Sequence, residues 1–271
     1  MSIRSSQRST REILLLVVSL AMVAGMSYLL YHWSGISQPS LDPDNKWDRD
    51  RIGRLLIGPE QITCYIFFTW ACLILVRREL EVRRQRTAFG LGLLPTEEGA
   101  RILPEDARPL MRKLEMSTAN KGPLILANMV RMALGKYAIS KSAPDVGEVM
   151  RTQGEVELGR MVSSMNIVQY LLWAIPAIGF IGTVRGLAGS FTMAASSEKD
   201  VVKFMNQATH HLNFAFDCTL VALVLSVIAM YLLHMVQRDE EALIIDCQQY
   251  CQEHLLLRLY DEAPEHEAVY Q

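Results

Sequence analysis

The sequence predicts an all-α, polytopic membrane protein with four transmembrane helices, the last two extended into the cytoplasm. Three observations carry this reading. Apolar residues make up 50% of the 271 and come in blocks long enough to cross a bilayer. Lys and Arg are unevenly placed, with 15 of the 27 between Arg77 and Met165. The stretches flanking the last two blocks keep apolar residues at helical spacing, so the helices should continue beyond the bilayer. The 27 basic residues stand against 29 acidic ones, and the basic ones cluster beside the apolar blocks. That pattern excludes a basic nucleic-acid-binding domain.

Residues 1–12 form an amino-terminal tail carrying Arg4, Arg8 and Arg11. The first span is Ile13–Trp33, which contains no Asp, Glu, Lys or Arg. It is too long for the apolar region of a signal peptide, and no A-x-A site follows it. Residues 34–60 form a loop. The second span, Gln61–Val76, is short and is closed by Arg77 and Arg78; Leu55–Pro59 offers an extension. Prolines at 95, 104, 109, 123 and 144 divide residues 77–165 into short pieces. One helix is expected over Lys121–Ala138. A second should start at Val146 and run unbroken to Pro176, inside the third span at 166–191. Residues 192–212 form a short loop and 213–236 the fourth span. Residues 237–271 read as a helix ending in an acidic, frayed tail, Asp261–Gln271. The Lys and Arg bias places both termini and 77–165 in the cytoplasm and the loops 34–60 and 192–212 outside.

On a helical wheel, Pro176, Gly179, Thr183, Gly186 and Ser190 share an arc of roughly 80° on the third span. Ala215, Thr219, Ala222, Ser226 and Ala229 share a similar arc, roughly 80°, on the fourth. Each helix thus bears a stripe of small residues with one threonine in it. Gly182, Gly186 and Ser190 also make a small-xxx-small run, which lets helix backbones approach closely. Two uses are open: close helix packing, or a shared pore lined by Thr183, Thr219, Ser190 and Ser226 into which another chain's helix fits. Arg185 and Asp217 both point away from the stripes, at depths of roughly 9 and 6 Å from the outer helix ends. Their opposite charges at matched depth suggest an ion pair.

Neither stripe contains a carboxylate, histidine or lysine, so a partner must bring any proton-carrying group. No nucleophile–base pair, phosphate loop or metal cluster is present, and no cofactor or enzymatic activity is expected. The five cysteines lie in apolar blocks or on a helix, without zinc-finger spacing.

The run LLWAIPAIGFIGTVRGL (171–187), with LNFAFDCTLVALVLSVIAMYLL (212–233) after a short loop, resembles the MotA/TolQ/ExbB proton-channel family over about residues 154–237. The resemblance implies a homopentamer in the bacterial inner membrane. It would enclose the helices of a single-span partner whose membrane segment carries a protonatable aspartate. Thr183 and Thr219 match the family's pore threonines, and proton flow would drive mechanical work. Phe214 stands where the ExbB branch has a glutamate, and Arg185 where a tryptophan is usual in the TolQ and ExbB branches. Four spans resemble the MotA arrangement. The alternative is a scaffold that keeps the fold, has lost conduction and organises a partner complex.

Overall fold

The computed structural model describes residues 2–34, 56, 58–94, 101–119, 121–196 and 201–260. Most of the 34–60 loop and the expected frayed tail, 261–271, lie outside the described residues. Among the described residues six α-helices follow in order: α1 (Ser2–Ser34), α2 (Pro59–Arg86), α3 (Ala107–Thr118), α4 (Ile125–Ser140), α5 (Ala143–Ser196) and α6 (Val201–His254). Short 3-10 turns occupy Thr87–Leu91, Pro104–Asp106 and Leu256–Arg258. Among the described residues there is no strand, only one isolated parallel bridge between Ile102 and Leu259. The chain is all-helical.

Among the described residues three helices are long and apolar enough to cross a membrane, within Pro59–Leu91, Ala143–Thr192 and His211–Arg258. In α1 the apolar run among the described side chains is shorter, Leu14–Leu29.

Local chemistry explains the helix ends. Proline at the start of α2 gives up an N–H that would have no intrahelical partner. Glu60 meets the positive end of the same helix, and Arg83, Arg84 and Arg86 meet its negative end. The helix therefore starts before the expected span and continues ten residues past Val76. The helix expected from Lys121 begins instead at Ile125. Gly122 has φ of +70° and Pro123 follows it, and that turn is incompatible with helix. Lys141, at φ +53°, closes α4 by donating its N–H to the Tyr137 carbonyl at 3.0 Å. In α5, Pro144 falls in the first turn, where it is tolerated, so the helix starts at Ala143. Pro176 lies inside α5 without ending it. The carbonyl of Ile175, just before that proline, accepts the Cys64 thiol of α2 at 3.6 Å. The segment 201–212, read from the sequence as loop, is the start of α6.

The contacts divide the chain into two compact units, Met1–Arg77 with Asn166–Met235, and Arg78–Met165 with Val236–Gln271. The described residues of the first unit include two small apolar clusters. Val23, Tyr65 and Val221 form one, and Cys64, Ile175 and Ala222 the other. Its helices leave many large apolar side chains exposed, among them Trp173, Phe180, Phe191, Phe216, Val227 and Tyr231. Such faces suit a hydrocarbon surrounding or a neighbouring helix.

The second unit has a core of its own, including Met129, Val130, Leu134, Tyr137, Val146, Leu243, Cys247 and Leu255. The Tyr137 hydroxyl is placed to donate to the carbonyl of Ile102 at 2.9 Å or of Tyr260 at 2.8 Å. It thereby ties the bridge to α4. Arg78 donates to Glu240 at 2.9 Å and to the Ser164 carbonyl at 2.8 Å, joining α2, α5 and α6. Both charged side chains are largely buried. Removing one partner strands the other charge, so Arg78→Met should destabilise this unit by about 3 kcal/mol. Thermal unfolding of the purified chain, followed by circular dichroism, measures that loss. Arg78→Met/Glu240→Leu should recover most of it.

Candidate functional site

The two small-residue stripes meet within one chain. Ser190 lies beside Ala208, Gly186 beside Ala215, Gly182 beside Cys218, and Gly179 beside Ala222. One number rises as the other falls, so α5 and α6 pack antiparallel. The approach is very close. A Cβ on Gly179 would stand 2.5 Å from the Ala222 Cβ, and one on Gly182 would stand 2.5 Å from the Cys218 Sγ. A Cβ on Gly186 would stand 2.6 Å from the Ala215 Cβ and 2.9 Å from the His211 carbonyl oxygen. Ala215, Ala222 and Ala229 are buried, and Pro176 is half-buried.

Close approach brings the two threonines together. The hydroxyls of Thr183 and Thr219 are hydrogen-bonded to each other. Thr219 also lies 3.1 Å from the Gly179 carbonyl and 3.2 Å from that of Ala215. Thr183 reaches the same two carbonyls at 3.3 and 3.4 Å. With one hydrogen each, one hydroxyl donates to the other, and the second donates to a carbonyl. The pair can therefore reverse its direction by rotating two O–H bonds, with no change of charge. Both side chains are half-buried, at the edge of the helix interface. Ser190 repeats the pattern one level away, reaching Gly186 O at 3.1 Å and Ala208 O at 3.2 Å. Ser226 is half-buried in α6.

Arg185 has a partner that the sequence reading did not name. Its Nε donates to the Glu60 Oε1 at 2.9 Å and its Nη2 to Oε2 at 3.0 Å. A carboxylate on Arg185 is thus supplied by α2. Position 185 lies about 200° round the helix from Thr183, so the side chain leaves the small-residue face and reaches the start of α2. Its guanidinium carbon sits 5.7 Å from the centre of the Phe214 ring. Glu60 is the residue that sequence reasoning missed. The available signal was the Pro59–Glu60 pair, a helix start with an acid in its first turn. It lies just outside the apolar block, at the end of the 34–60 loop that the sequence predicts.

Among the described residues no group of His, Cys, Asp or Glu is placed to hold a metal ion. All five cysteines are free thiols.

Residues 122–249 match the sequence model of the MotA/TolQ/ExbB proton channel family. The match takes in the resemblance seen over 154–237 and extends it on both sides, to include α4. No curated protein matches the chain.

Proposed function

We propose that the chain is the pore-forming subunit of a motor driven by the proton-motive force. Five copies would surround the membrane helices of a single-span partner of the MotB, TolR or ExbD kind, coupling ion flow to mechanical work. The observation that carries this reading is the Thr183–Thr219 hydroxyl pair. It lies where two antiparallel helices of the matched stretch come closest, with a hydrogen-bond direction that can reverse. The family is one of proton channels serving energy transduction, generally as oligomers with single-span partners. In this reading Thr183, Thr219, Ser190 and Ser226 border the ion path, while Gly179, Gly182 and Gly186 set the helix spacing. The proton-carrying carboxylate is the partner's transmembrane aspartate.

The arrangement also includes four spans in a bacterial inner membrane, with α1 as the first. Both termini and residues 77–165 would be cytoplasmic, supported by the basic residues of that segment. Native mass spectrometry of the detergent-purified chain tests the assembly. The expected mass is five times 30.6 kDa, rising by two partner copies on co-expression. A monomer or dimer under both conditions would remove the motor reading.

A second reading, a non-conducting scaffold, has one observation in its favour. The small-residue stripes already fill each other within a single chain, so no pore is needed to explain them. On that reading, valine at 183 and 219 would leave the cellular function of the complex unchanged.

A further inference from the structure

Arg185 places a full charge two residues beyond Thr183, about 3 Å further along the helix axis. In the paired state that charge lies about 200° round the helix from Thr183; a released side chain swinging back to the level of the threonines would put it in a cation's way, in surroundings of low dielectric. Three features keep it in place. Glu60 grips the guanidinium at two points, 2.9 and 3.0 Å, which fixes direction as well as distance. The Phe214 ring lies 5.7 Å from the guanidinium carbon. Glu60 is itself held, in the first turn of α2, where free backbone N–H groups favour a negative charge.

The burial is lopsided. The Glu60 side chain is 10% exposed and that of Arg185 is 55% exposed. The carboxylate is therefore the fixed member, and the arginine is the member that would move if released. Gly182 makes the arrangement possible. A Cβ there would lie 3.3 Å from the Glu60 Cγ as well as against Cys218. The same glycine that admits α6 on one side admits the glutamate on the other.

We infer that Glu60 is a positioning residue for the ion path: it neutralises Arg185 and keeps it on the side of α5 where helix geometry puts it, so that cations pass the threonines without meeting a bare positive charge. This rests on the proton-conducting reading above. Without Glu60, Arg185 keeps its charge and gains freedom to swing towards the threonine hydroxyls and carbonyls. The path would then carry a barrier to cations. Removing both charges would lift it.

The test uses inverted membrane vesicles from cells making the full chain with its single-span partner. Dissipation of an imposed pH gradient is followed with a pH-sensitive dye, and assembled complex is quantified on native gels. Glu60→Gln should slow dissipation at least ~10-fold relative to wild type. Glu60→Gln/Arg185→Gln should return it to within about threefold. Glu60→Asp, which keeps the charge, should lie between the two. If the single variant loses assembly but the double variant assembles and conducts, the inference stands. It is overturned if Glu60→Gln conducts like wild type, or if the double variant is as slow as the single. It is also overturned if both variants fail to assemble, since the pair is then a fold staple. Wild-type vesicles no leakier than empty ones would remove the conducting reading itself, and this inference with it.

Discussion

Thr183→Val and Thr219→Val should each reduce proton flux about 10- to 100-fold while leaving the assembled complex at wild-type abundance. Valine matches threonine in shape but offers no hydroxyl, so each change deletes half of the pair and leaves the helix spacing intact. The stability loss should be small, about 0.6 kcal/mol on the scale of interhelical hydrogen bonds measured in membranes. The carbonyls of Gly179 and Ala215 still accept N–H donors within their own helices. Flux, by contrast, depends on a polar group being present where a hydrated proton or the partner's carboxylate passes. Loss of such a contact is worth about 1–3 kcal/mol, and the stated 10- to 100-fold corresponds to about 1.4–2.7 kcal/mol within that range. Thr219→Ser, which retains the hydroxyl, should keep most of the flux. The measurement is gradient dissipation in vesicles, paired with native gels. Equal flux in wild type and both valine variants would favour the scaffold. Loss of the complex would make the threonines packing residues.

Gly186→Val should prevent stable assembly, the largest structural effect expected for a single substitution in the membrane unit. A first carbon on residue 186 already meets the Ala215 Cβ at 2.6 Å and the His211 carbonyl at 2.9 Å. The second contact is backbone, so the helices themselves must part. Overpacking of this kind costs about 1–3 kcal/mol for a methyl, and a branched side chain adds to it. Separation would also break the Thr183–Thr219 hydrogen bond and the reach of Ser190 to the Ala208 carbonyl. Gly179→Ala, facing Ala222, should be damaging for the same reason. Gly182→Ala should be milder, because the closest atom is the Cys218 thiol, and Cys218→Ala should relieve part of the clash. Gly135→Ala is the control. Nothing lies within 4 Å of its Cβ position in α4, so the chain should gain up to ~1 kcal/mol from helix propensity. Monodispersity in detergent and thermal unfolding of the four variants give the ranking.

The helical periodicities were legible because each depends on one helix at a time. A wheel is enough to show that Gly179, Thr183, Gly186 and Ser190 share one face, and that Thr219 lies among alanines on another. The position of Arg185 off that face follows from the same geometry, since a side chain two residues on points roughly the other way. Local breakers were harder to weigh. Gly122–Pro123 shortens a helix expected from Lys121, while Pro176 leaves α5 unbroken; the sequence shows a proline in both places. The difference lies in surroundings, because α5 is packed against α6 on its small-residue side and Cys64 reaches its backbone on another.

By itself, the sequence determined that this chain is helical, that its long apolar helices suit a membrane, and which faces of α5 and α6 allow close approach. The backbone period and the solvation cost of charge act locally, and they leave their mark on residue order. Only the tertiary structure decided what each face meets. The two small-residue stripes meet each other within one chain, and Thr183 bonds Thr219 across thirty-six residues of sequence. Arg185 meets Glu60, 125 residues away in sequence. An ion pair forms where two charges can approach with the right geometry and little water. That depends on where α2 starts and on a missing side chain at Gly182, which no single-helix pattern encodes.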